Sequence, residues 1–111
     1  MIVVSDTSPI TNLAAIGRFD LLQELHGQVH IAQGVWEELN AQSIQWPGSE
    51  AVATASWVLR HTVEDELLVT ALRRDLHRGE AESIALGLEL GAGLLLMDER
   101  EGRHAARRLG L

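Results

Sequence analysis

The sequence predicts an α/β fold in one domain over residues 1–111, with a mainly parallel sheet covered by helices on both faces in a three-layer α/β/α arrangement. Two observations carry this. Ile2-Val3-Val4-Ser5 and Leu94-Leu95-Leu96-Met97 are short apolar runs without polar alternation, as expected of strands buried on both faces, and each stops at an aspartate, Asp6 or Asp98. Between them the hydrophobic pattern takes the helical period, so strands alternate with helices.

In chain order, Ile2–Ser5 is the first predicted strand. Thr7-Ser8-Pro9 has a helix-start signature, with Ser8 as N-cap and Pro9 at the first helical position. Ile10, Leu13, Ala14 and Ile16 supply an apolar stripe, and Gly17 interrupts it. Phe19, Leu21, Leu22 and Leu25 carry a second helix to Gly27, a C′ glycine. Val29–Ile31 is a second strand, followed by a helical turn over Val35–Leu39. Residues 40–63 are the least patterned: Pro47-Gly48 is a break, Ser49–Ala55 suits a helix and Trp57–Leu59 an extended segment. Glu64–Leu72 is amphipathic and helical, and Arg73–Gly79 is a charged connector. Glu80–Leu90 is the clearest helix, closed by Gly91. After Leu94–Met97, a last helix begins at Glu101 and runs to Leu109.

A chain of 111 residues, 46% of them hydrophobic, can bury one core and is too short for two ordinary domains. No run approaches the roughly 20 apolar residues of a membrane span, and no basic leader precedes Asp6, so a soluble cytoplasmic protein without membrane attachment is expected. The absence of cysteine excludes disulfides, thiolate zinc sites and a cysteine nucleophile, so a metal must sit on oxygen or imidazole. A formal charge of −7 weighs against simple electrostatic attachment to a nucleic-acid backbone. The charge is uneven, however: residues 1–59 hold one arginine against six acids, and residues 60–111 hold eight against ten. A phosphate-facing surface is therefore expected in the second half, where Arg73, Arg74 and Arg78 precede Glu80, and Arg100, Arg103, Arg107 and Arg108 follow Asp98.

In parallel α/β sheets ligands gather at the carboxyl ends of strands, where Asp6 and Asp98 stand. As isolated residues either could be a helix cap or turn residue. Joined by Glu80, in the first turn of the helix that precedes the second strand–acid motif, they form a constellation, with Glu38 as a weaker fourth member. Carboxylates brought together repel and raise each other's pKa, and divalent cations resolve that conflict. Mg²⁺ and Mn²⁺ prefer hard oxygen ligands and bridge carboxylates to substrate phosphates, which suits phosphodiester hydrolysis.

The segments Val3-Val4-Ser5-Asp6-Thr7-Ser8-Pro9-Ile10, Glu38-Leu39 after a strand, Gly79-Glu80-Ala81-Glu82-Ser83-Ile84-Ala85 and Leu95-Leu96-Met97-Asp98-Glu99-Arg100-Glu101-Gly102-Arg103 together resemble the PIN-domain superfamily. The resemblance is to its short prokaryotic members, a domain of unknown function that includes toxin components of toxin–antitoxin pairs. It covers essentially all of the chain. It implies a PIN-like fold and a Mg²⁺- or Mn²⁺-dependent endoribonuclease, commonly a homodimer, with RNA as substrate and a small antitoxin protein as partner. By position it assigns Asp6, Glu38, Glu80 and Asp98 as catalytic, metal-holding acids, with Thr7 supporting them through its hydroxyl. Glu37 is a stand-in for Glu38; Glu82, Glu99 and Glu101 are bystanders. Arg73, Arg74, Arg78 and Arg100 are the candidate RNA contacts. Family members continue with a further strand and helix, so the resemblance implies a C-terminal strand and helix missing from this chain. Ala32-Gln33 also replaces a proline common after the second strand.

Other features point elsewhere or nowhere. The five histidines have no ligand spacing, and the glycines match no phosphate loop. Trp36, Trp46 and Trp57 suit packing better than base stacking. A response-regulator receiver needs a lysine, which the chain lacks, and a haloacid-dehalogenase-type phosphatase needs an acid where Ser8 stands. The rival of another class is a PIN-like module with little or no catalysis that binds an antitoxin or a larger assembly.

Overall fold

A computed structural model describes residues 1–40, 48–97, 107, 109 and 110. Strands β1 (Val3–Ser5), β2 (Val29–Ala32), β3 (Val58–His61) and β4 (Leu94–Leu96) form one parallel sheet in the order β3-β2-β1-β4. Parallel neighbours require long crossovers, and each is helical. Helices α1 (Thr7–Ala15) and α2 (Asp20–His26) join β1 to β2, α3 (Gln33–Asn40) and α4 (Ser49–Thr54) join β2 to β3, and α5 (Glu66–Leu72) and α6 (Arg78–Leu90) join β3 to β4.

Side chains alternate across each strand, and the two sheet faces carry separate apolar layers. Val29 and Ile31 turn toward Ile10 and Ala14 of α1, Leu22 of α2, Val35 and Leu39 of α3, and Val52 of α4. Val4 and Ala32 turn the other way, toward Ala85 and Leu86 of α6. Leu95, opposite Val4 in the register, packs on that same side. The predicted α/β architecture with a parallel sheet between helical layers is what the chain adopts. No helix among the described residues is long and apolar enough to cross a membrane.

Several boundaries differ from expectation, each for a local reason. Helix α1 starts at Thr7, so Asp6 rather than Ser8 is the N-cap residue, in extended conformation at φ −78°, ψ 178°. Pro9 then stands at the third helical position, where a missing N–H costs nothing because first-turn N–H groups have no intrahelical partner. Ile16 is 70% exposed, since α1 ends at Ala15 before the stripe is complete. Helix α6 takes in Arg78 and Gly79 from the expected connector. Its start is set by Glu80, whose Oε1 accepts the backbone N–H of His77 at 3.1 Å. Strand β3 lies further along than Trp57–Leu59, and Trp57 packs on Phe19 with ring centroids 4.7 Å apart. Trp46, His104 and most of the helix expected over 101–109 lie outside the described residues.

Across β2 and β3, His30 Nδ1 and His61 Nε2 stand 2.8 Å apart. Burial, and then the charge of His61, push the His30 pKa below its ordinary value. The unfolded chain therefore takes up this proton first, at about pH 6.5, and folding stability should fall as pH drops from there toward the lowered folded value. Thermal melts between pH 7.5 and 5 check this: His30→Phe should flatten the acid-side decline. An unchanged slope would assign that decline to other groups.

Candidate functional site

At the carboxyl end of β1, Asp6 is 3% exposed, and its backbone N–H donates to the Leu96 carbonyl at 2.9 Å, which ties the ends of β1 and β4 together. The next residue opens α1, and its hydroxyl crosses to a different crossover: Thr7 Oγ1 donates to Glu38 Oε2 at 2.7 Å. Glu38 stands exposed on α3, at the rim. Glu80, 7% exposed, comes from the first turn of α6, where the positive end of the helix dipole favours a carboxylate. These residues, with Ser8, His77 and Arg78, line one open cavity of about 430 Å³. Three separate parts of the chain thus meet at the carboxyl edge of the sheet.

Two glycines let α3 and α6 approach closely enough for this. A Cβ on Gly79 would run into the Glu38 carboxylate, and one on Gly34 would lie 3.0 Å from Glu82 Oε2. Within α6, Arg78 Nε donates to Glu82 Oε2 at 2.5 Å, and its Nη1 reaches across to pair with Glu37 of α3. Glu82 also accepts the backbone N–H of Gly34 at 3.0 Å. Hydrogen bonding to Glu82 is the main reason the Arg78 pKa is raised, and this guanidinium stays charged under all folding conditions.

Asp6, Thr7, Glu38 and Glu80 therefore share one cavity. Asp98 and Arg100 lie outside the described residues, as do Glu99 and Glu101. Arg73 is exposed and lines a neighbouring cavity of about 330 Å³ that also includes Arg78, and Arg74 is exposed. Glu37, the expected stand-in for Glu38, is paired with Arg78 and does not line this cavity. Glu82, expected as a bystander, is a buried link between α3 and α6; its i,i+4 spacing from Arg78 was the available signal. His77 was also missed, with no pattern to mark it. Trp36 carries the Arg60 guanidinium 4.8 Å from its ring centroid and packs against the core, so it is already occupied.

The carboxylates and hydroxyl lining the cavity are hard oxygen donors, the kind Mg²⁺ and Mn²⁺ select. Among the described residues, no three acidic or imidazole side chains gather closely enough to enclose an ion. The donor chemistry fits such an ion, with Asp98 as the remaining candidate ligand.

Gly79→Ala tests the approach of the two helices. The atom that a Cβ would meet is the mobile end of Glu38, and alanine favours a helix by up to about 1 kcal/mol. Melting temperature should therefore change little while the Glu38 carboxylate is displaced. Misplacement by about 1 Å can cost about a hundredfold in rate. On the nuclease activity that the sequence resemblance implies, RNA cleavage should fall at least tenfold with the melt preserved, and wild-type turnover in this variant would remove Glu38 from the site.

A parallel α/β domain with acids from a strand end and two helices lining one cavity at the edge of its sheet is the class that fold and site define. A family model described as a PIN domain matches residues 2–111, and the chain belongs to that family. No curated protein and no solved structure matches the chain at a significant level.

Proposed function

We propose that this protein is a Mg²⁺- or Mn²⁺-dependent endoribonuclease that hydrolyses RNA phosphodiester bonds, acting in the cytoplasm as the toxin of a toxin–antitoxin pair and as a homodimer. PIN domains are generally nucleases, and the observation that carries the finer reading is the convergence of Asp6, Glu38 and Glu80 on one cavity beside the Thr7 hydroxyl. Asp6, Glu38, Glu80 and Asp98 would hold the metal. When bound, it would activate water and neutralise charge on the scissile phosphate. Thr7 fixes the Glu38 carboxylate by hydrogen bonding, and Asp6 and Glu80 keep their carboxylates buried behind it. Arg78, with Arg73, Arg74 and Arg100, would meet the flanking phosphates, as a fork-shaped donor does well. No protein nucleophile is required, in keeping with a chain that has no cysteine.

The test is cleavage of RNA by the purified protein with and without Mn²⁺. Metal that binds only the folded state adds stability as RT ln(1 + [L]/Kd), about 2.7 kcal/mol at a hundredfold excess over Kd. The melt should therefore rise with Mn²⁺, and no rise at millimolar metal would count against the site. The pairing of Arg78 with Glu37 and Glu82 favours a second reading, a binding module whose acidic cavity receives a basic side chain of an antitoxin. That reading predicts tight antitoxin binding with no cleavage at any metal concentration.

A further inference from the structure

Beside the acidic cavity, and sharing Arg78 with it, lies the second cavity of about 330 Å³. One of its walls is a single face of α5, where Glu66, Val69 and Arg73 follow one another at the spacing that a helix turns to one side. Buried Val63 and half-buried Val69 give the cavity an apolar surface, and Gln33 lines it from the start of α3. Glu66 and Arg73 are both exposed, about 10 Å apart along the helix axis, and make no ion pair with each other. Among the described residues neither side chain has an ion pair or a hydrogen bond. The rim is nevertheless fixed. Glu89 Oε1 accepts the N–H groups of Glu64 and Asp65 at 2.8 Å each, and Asp65 Oδ1 accepts that of Leu68 at 3.1 Å. The start of α5, and Glu66 with it, is thus held before any ligand arrives, which lowers the cost of binding one.

An apolar wall flanked by one guanidinium and one carboxylate suits a ligand with a flat apolar face, an anionic group and a hydrogen-bond donor. A nucleotide has all three. Proteins read single-stranded RNA through unpaired bases whose edges are open to hydrogen bonding. Arg73 can take the phosphate in its fork, and the two valines can cover the face of the base. An ionised carboxylate only accepts, so Glu66 requires a donor on the base edge. Adenine, cytosine and guanine carry an exocyclic amino group, whereas uracil presents a carbonyl oxygen where cytosine has its amine, and a carboxylate repels that oxygen. We propose that the α5 cavity is a nucleotide subsite for single-stranded RNA, in which Glu66 selects an amino-bearing base against uracil and Arg73 holds the phosphate of that nucleotide. Its place beside the scissile bond rests on the nuclease reading: Arg78 lines both cavities, so a strand that crosses it puts neighbouring nucleotides in the two.

The experiment is fluorescence anisotropy of the full chain with short oligocytidylate and oligouridylate RNAs of equal length, at one low salt concentration and with chelator present so that nothing is cleaved. Wild type should bind oligocytidylate at least about fivefold more tightly than oligouridylate, as expected of a hydrogen bond to a charged group. Glu66→Gln, whose amide both donates and accepts, should bring that ratio close to one by gaining affinity for uridine. The ratio is the readout, because removing a negative charge raises affinity for every RNA. Arg73→Ala should weaken both oligomers alike and leave the ratio in place. Equal wild-type affinities, binding to neither oligomer, or a ratio unchanged in Glu66→Gln each overturn the proposal. Cytidine monophosphate competing as well as the oligomer also overturns it, by making the cavity a mononucleotide site. Cleavage is measured separately with Mn²⁺: no turnover with the base preference intact would remove the nuclease reading and keep the subsite, and turnover without the preference would do the reverse.

Discussion

Asp6→Asn should abolish Mn²⁺-dependent RNA cleavage, lowering turnover by more than about a hundredfold, while the protein stays folded. Groups that merely orient metal ligands cost about 10–100-fold when removed, so loss of a ligand should exceed that range. The substitution keeps size and shape in a position that is 3% exposed, and the residue-6 side chain makes no cap hydrogen bond to α1 that asparagine would lose. The backbone bond from residue 6 to the Leu96 carbonyl involves no side-chain atom and persists. Removing one anion from a cavity shared with Glu38 and Glu80 also relieves repulsion, so the metal-free variant should melt no lower than wild type. The Mn²⁺-induced rise in melting temperature should shrink together with the activity. Turnover equal to wild type would sink the nuclease reading; an unfolded variant would make Asp6 a structural residue.

What the sequence revealed of this arrangement followed the range of each interaction. Strands β1 and β4 were legible because burial on both faces leaves an uninterrupted apolar run, and their parallel pairing places Val3–Ser5 beside Leu94–Leu96 as the fold class requires. Glu80 was legible because its role at the start of α6 is local, a bond to the N–H of His77 three residues back. Glu38 was less so: its partner Thr7 is 31 positions away and no periodicity spans that distance, so the residues alone made it the weakest of the four acids and the family resemblance assigned its role. The starts of α1 and α6 were each misplaced by two residues, because several adjacent polar residues could cap each helix and tertiary contacts choose among them. The resemblance leaves Glu82 a bystander. Its burial follows from Gly34 and Gly79, which draw α3 onto α6, and neither glycine announces its partner in the sequence.

That burial gives Glu82→Ala the largest expected effect on stability. The Glu82 carboxylate accepts the N–H of Gly34, a buried group, and leaving that donor unpaired costs about 1–3 kcal/mol. The ion pair with Arg78 adds little, at most about 1 kcal/mol, because the arginine side chain is 45% exposed and its charge is screened by water. For a chain of this size, each kcal/mol corresponds to about 4–8 °C, so a loss of about 2 kcal/mol should lower the melt by roughly 8–16 °C. Glu82→Gln keeps an oxygen acceptor for Gly34 and should lose much less. Alanine also frees Arg78 from one of its two carboxylates and loosens α3, which carries Glu38. Cleavage by the folded fraction should therefore drop in Glu82→Ala and largely survive in Glu82→Gln. Calorimetric melts of the two variants beside wild type decide the matter: equal melting temperatures for all three would mean that Glu82 does not hold α3 to α6.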